Sequence, residues 1–107
     1  MQISLENPDY RYICRGLSAN GVLVNNQELQ SSFILAPNQL IENWSLKLMT
    51  ELSPEHWQPV LNLKPSLFIL GTGSIQIFPE PKHIAYFLQQ GIGFEVMNNA
   101  AAARTFN

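Results

Sequence analysis

Two segments hold the residue types best suited to binding chemistry. Gly71-Thr72-Gly73-Ser74 follows the apolar run Ser66-Leu67-Phe68-Ile69-Leu70, and Asn98-Asn99 follows Ile92–Met97. Backbone amides at a glycine-flanked turn can form a concavity for an anion. Free amides at a helix start, with Asn98 or Asn99 as cap, can do the same. If both segments leave the carboxyl ends of parallel strands, they share one crevice, the usual ligand position in an open α/β sheet. Gly71, Thr72, Gly73, Ser74, Gln76, Asn98, Asn99 and Arg104 are therefore the candidate ligand-binding residues, with the Arg104 guanidinium placed to meet a carboxylate or phosphate. The competing reading is structural. The glycines then serve positive φ or close packing, Asn98 is only a cap, and Arg104 pairs with Glu95 or the chain terminus.

Catalytic machinery is harder to find. No Gly-Lys-Ser/Thr follows Gly73, so the loop is not a Walker loop, and the third glycine of a dinucleotide fingerprint is missing. His56 and His83 each lack a second ligand at the helical spacing of a metal site, so neither a metal nor a cofactor is expected. Cys14 has no activating neighbour and reads as a small buried side chain. No Gly-x-Ser-x-Gly elbow marks a nucleophile. Glu80 and Glu95 are the carboxylates nearest the crevice in sequence, too little to form an acid/base pair. The expectation is that no residue is catalytic.

The elements that position these residues fall into two halves. In the first, Arg11–Leu17 alternates, Val22-Leu23-Val24 and Phe33-Ile34-Leu35 are short strand-like runs, and Ile41–Trp44 adds one more. Asn20-Gly21, Asn25-Asn26 and Pro37-Asn38 separate them as turns, giving an antiparallel β meander. In the second, Ser53 caps a helix with Pro54 at its first position, and Trp57, Val60 and Leu61 face the core. Pro59 limits or kinks that helix. Leu67–Leu70 reads as a fully buried strand. Pro81 opens a helix whose core positions are Ile84, Phe87 and Leu88 and which Gly91 stops. Ile92–Met97 is the next strand, and a third helix runs through Ala100–Ala103. Strand, helix, strand with this spacing is a βαβ unit with parallel neighbours. The fold class is α/β, three-layer, with a mixed central sheet, a βαβ unit in the second half and an antiparallel N-terminal meander.

Composition sets the bounds. A chain of 107 residues, 46% hydrophobic and 13% charged, makes one core-bearing domain over residues 1–107. A net charge of −2 with scattered Lys and Arg argues against a nucleic-acid partner. No apolar run exceeds about five residues, against the ~20 of a spanning helix, so membrane insertion is not expected. Met1–Glu6 has neither a basic region nor an apolar one, so no secretory leader is expected. One cysteine excludes an internal disulfide and suits a reducing, cytoplasmic location.

The second half also resembles a known family. Leu70-Gly71-Thr72-Gly73, Phe78-Pro79, Gly91–Met97 and Ala101–Asn107 recur in this order in the group catalogued as domain of unknown function 498 (Mth938-like). Ser32, Pro37 and Trp44 suit its looser N-terminal pattern, so the resemblance covers about residues 12 to 107. It implies a three-layer α/β fold and no established enzymatic activity. It also implies action through protein contacts, as in the mitochondrial member that assists respiratory complex I assembly. Members carry Asp-Thr where this chain has Asn98-Asn99, and they continue past Asn107 with more helix and a final strand. Together these readings point to a protein-binding or assembly-type module with a protein partner, acting as a monomer or weak homodimer. The alternative is a small-molecule or anion-binding protein, or weak enzyme, using the Gly71–Ser74/Arg104 crevice.

Overall fold

A computed structural model describes residues 11–107; the reading of Met1–Glu6 lies outside the described residues. The described residues open with three antiparallel strands, β1 (Cys14–Leu17), β2 (Val22–Val24) and β3 (Gln27–Leu29), paired in that order. The meander expected from the turn residues is thus present. Asn25 shows how its second turn is held. Its φ of 54° is in the left-handed region that asparagine tolerates. Its side chain accepts from the Ile13 amide at 2.9 Å and donates to the Arg11 carbonyl at 3.1 Å. The sequence reading missed β3 because Gln27 and Glu28 are polar and exposed, leaving Leu29 as its one buried side chain.

A hairpin follows, β4 (Ile34–Ala36) with β5 (Gln39–Ile41), closed by Pro37-Asn38. The strand expected over Ile41–Trp44 is corrected here. It ends at Ile41 because Asn43 turns the chain at a φ of 58°. Trp44 is instead buried, its amide bonded to the Ser32 carbonyl.

The helix starting at Ser53 begins as a 3-10 turn (Pro54–Trp57) and continues as α1 (Gln58–Asn62). Pro59 lies in the first turn of α1, where a missing N–H costs nothing. Trp57 and Val60 are fully buried, with Leu61 packed beside them. Next come β6 (Leu67–Gly71), α2 (Pro81–Gln89), β7 (Gly93–Met97) and α3 (Asn99–Phe106). β6 and β7 pair in parallel from Leu67 opposite Gly93 to Gly71 opposite Met97, joined by α2 as the βαβ reading requires. The α/β class holds, with antiparallel strands first and a parallel pair second. Their hydrogen bonds form three separate sheets among the described residues.

Two expectations about burial fail. β6 is not fully buried: Leu70 is, whereas Leu67 is exposed. Burial in β6 falls on Leu70, with Phe68 and Ile69 half-buried and the two end residues exposed. On α2, Leu88 is exposed and Ile84 half-buried, while His83 and Phe87 face inward. Those two are one turn apart, so the helix phase that buries Phe87 turns Leu88 about 100° away.

The larger core cluster centres on Trp57 and joins Trp44, Leu46, Val60, Leu70, Phe87 and Ile92, with Phe68 and Phe94 packed on it. Trp57 meets Phe87 and Phe94 edge-on at centroid distances of 5.2 and 5.9 Å. A smaller cluster joins Cys14, Val22, Val24 and Leu29 of the meander to Ala103 of α3. Cys14 is buried as expected, and burial pushes its thiol pKa up.

Candidate functional site

The parallel register sets Gly71 opposite Met97, so the segments that leave β6 and β7 do meet. The Thr72 amide donates to the Met97 carbonyl at 2.9 Å and extends the ladder by one rung. Beyond it the two loops clasp each other. The Asn99 amide donates to the Gly73 carbonyl at 2.7 Å, and the Gly73 amide donates to Asn99 Oδ1 at 2.9 Å. Asn98 caps α3, accepting from the Ala101 amide at 2.8 Å through Oδ1. Gln76 reaches back to donate to the Val96 carbonyl at 2.8 Å.

Gly71, Thr72, Gly73, Asn98 and Asn99 thus form one cluster, with Gln76 tied to its β7 side. Ser74 and Arg104 are not bonded to it among the described residues, and Arg104 is exposed. The one ion pair among the described residues is Lys82–Glu80 at 3.7 Å, so no pairing of Arg104 with Glu95 occurs there. The amides of Thr72, Gly73, Asn99 and Ala101 all donate to protein acceptors. Two glycines serve geometry directly. Gly73 has a φ of 97°, and a Cβ on Gly71 would sit 2.7 Å from Asn99 Oδ1.

The clasp also shapes the start of the segment between β6 and α2. Thr72 Oγ1 donates to the Ile75 carbonyl at 2.6 Å and accepts from the Ile77 amide at 3.0 Å. One hydroxyl thereby folds the chain there back on itself. The segment carries three large apolar side chains into solvent: Ile75, Ile77 and Phe78 are 68%, 45% and 65% exposed. Isolated exposed apolar residues are ordinary, but three within four positions on an ordered loop are not. The sequence reading passed over Ile75 and Ile77 and took Phe78 only as part of the Phe78-Pro79 family motif. The signal was an apolar triplet between turn residues, with no element for it to pack into.

Elsewhere the chemistry is sparse. Two open polar hollows, of about 240 and 370 Å³, lie beside β3 and β5 and share Gln30, Ser31 and Asn43. Neither touches the clasp. No group of three potential metal ligands is found among the described residues. Both histidines are buried, and burial pushes the His83 pKa down, helped by Lys82 and opposed by Glu80. No helix among the described residues is long and apolar enough to cross a membrane.

Comparison with known proteins assigns the fold. The family described as "Protein of unknown function (DUF498/DUF598)" is matched over residues 14–107, and the chain belongs to it. The chain is similar to a Xanthomonas campestris protein solved by NMR, with 46% identity and a TM-score of 0.82, covering 100% of this chain and 81% of that one. A Bordetella parapertussis protein is similar at 25% identity and a TM-score of 0.81, over 90% of this chain and 82% of its own. A Bordetella pertussis protein described as a Mth938-like domain matches at 18% identity with a TM-score of 0.76, over 99% of this chain and 82% of its own. Among curated proteins there is no match.

Proposed function

We propose that the protein is a non-enzymatic binding or assembly-type module that engages a protein partner through the segment between β6 and α2. The observation that carries this reading is the exposed triplet Ile75, Ile77 and Phe78 on a loop ordered by the Thr72 hydroxyl. A loop already held in shape loses little conformational freedom on docking. Buried apolar and aromatic side chains supply most of the energy of such contacts. In this reading the clasp of Gly71–Gly73 with Asn98 and Asn99 is the frame for the loop, and Ser74 and Arg104 lie on its polar surroundings. An anion or small-molecule site at the same residues has less support, because four of the amides that would serve it already have protein acceptors.

A photo-crosslinking residue placed at Ile77 tests the proposal against one placed at Leu17, which is exposed on the meander. In the native cells, the Ile77 probe should give a discrete adduct that the Leu17 probe does not. The double change Ile75→Ser with Phe78→Ser should remove that adduct while leaving the thermal midpoint within a few degrees. Equal labelling from both positions would sink the reading.

A further inference from the structure

Two buried histidines stand at the joint between the Pro54–Asn62 segment and α2, and one of them is bonded across it. The Trp57 indole N–H donates to His83 Nδ1 at 2.9 Å, with the rings edge to face at a centroid distance of 5.5 Å. Because Nδ1 accepts, the neutral imidazole must carry its proton on Nε2. That Nε2 is buried and has no partner among the described residues. His83 therefore satisfies one indole donor at the cost of an unpaired donor of its own. We propose that the Trp57–His83 pair is a proton-sensitive latch, closed while the imidazole is neutral and opened when a proton takes Nδ1 and sets two N–H donors against each other.

The surroundings of the latch favour the neutral form. From its own helix His83 faces the charges of Lys82, which opposes protonation, and Glu80, which favours it. From the facing 3-10 turn come Glu55, exposed, and His56, whose Nδ1 is engaged by the Ser53 amide at 3.0 Å. β6 contributes Phe68 and Leu70, neither ionisable. The one ionisable residue of β7, Glu95, alternates with Phe94 and so projects to the other face. Glu80 is the one carboxylate whose charge favours an imidazolium beside Trp57, and burial together with Lys82 outweighs it.

The direction of the pH effect follows. In the unfolded chain His83 takes its proton at the ordinary histidine value, about 6.5, whereas in the fold it stays neutral further into acid. The latch's contribution to stability is therefore complete above about pH 6.5 and is lost progressively below it. From about pH 7.5 to about pH 5 this one group should raise the unfolding equilibrium constant, by no more than about thirtyfold.

Denaturant unfolding of the wild type and of His83→Gln across that range tests the latch. Glutamine keeps an acceptor for the indole but cannot titrate, so the variant should lose the His83 share of the pH dependence and unfold with a shallower pH slope than the wild type. His56→Gln should retain the share that belongs to His83. If His83→Gln does not fold, carbon-13 NMR of the wild-type imidazole gives a separate reading. It should show His83 as the Nε2–H tautomer at neutral pH, still neutral at pH values where a free histidine is half charged. An unchanged pH slope in His83→Gln, or an imidazole that titrates in the folded protein at the free-histidine value, overturns the proposal.

Discussion

Gly71 illustrates how a residue that reads as a ligand cradle can be fixed by packing. Its missing Cβ makes room for the Asn99 carboxamide, which accepts from the Gly73 amide. Gly71→Ala would push that carboxamide aside and leave the Gly73 donor unpaired, at a cost of about 1–3 kcal/mol. Once Asn99 has been cut back to alanine, only the tight approach to the Ala102 Cβ at 3.3 Å remains, and the same change at Gly71 should cost much less. Chemical denaturation of the two single variants and the double variant measures this coupling. Additive losses would show that the clasp is not what makes alanine unwelcome at position 71. Asn107 works in a similar way at the other end of α3. Its side chain accepts from the Cys14 amide and donates to the Cys14 carbonyl, bonding to the backbone of β1 much as a neighbouring strand would.

At the scale of an element, α2 shows how much depends on helix phase. Pro81 starts it, and Gly91, with a φ of 77°, lets the chain turn out of it. Both ends were legible because they depend on local backbone chemistry. The buried face was not. Leu88 is as apolar as Phe87, and an isolated helix gives no reason to bury the histidine at 83 in preference to the leucine. What decides is the Trp57 indole, which offers His83 a hydrogen bond and Phe87 a ring edge. Phe87→Ala should accordingly cost ~3–5 kcal/mol, and Leu88→Ala no more than about 0.5 kcal/mol. Thermal and urea unfolding of the pair provide the comparison. A loss at Leu88 matching that at Phe87 would mean the helix is rotated from the orientation described.

Over the whole molecule, α3 is the element that holds the halves together. Ala103 is buried in the meander's cluster, while Gly71 of β6 lies close against Asn99 and Ala102 on the same helix. Small side chains let the helix approach both. Ala103→Leu should overpack that joint and cost about 1–3 kcal/mol. Far-ultraviolet signal, which follows both halves, should still lose structure together with tryptophan fluorescence, which follows the Trp57 cluster. Separate transitions for the two probes would show that the halves unfold independently.

The local grammar of the chain was readable directly: the turns at Asn25 and Pro37, the caps at Ser53 and Asn98, the helix stop at Gly91, and the spacing that makes β6, α2 and β7 a βαβ unit. Each depends on the conformational limits of one residue or on periodicity along one segment, which tertiary contacts do not change. The meeting of Gly71–Gly73 with Asn98 and Asn99 was legible too, since parallel strands bring their carboxyl ends together. The tertiary structure alone decided which groups remain free once neighbours are in place. Amides that looked available have protein acceptors, two histidines that each follow a charged residue are buried, and Ile75, Ile77 and Phe78 face water. Exposure and hydrogen-bond pairing belong to a residue together with everything packed around it, and that surrounding is assembled from segments far apart in the chain.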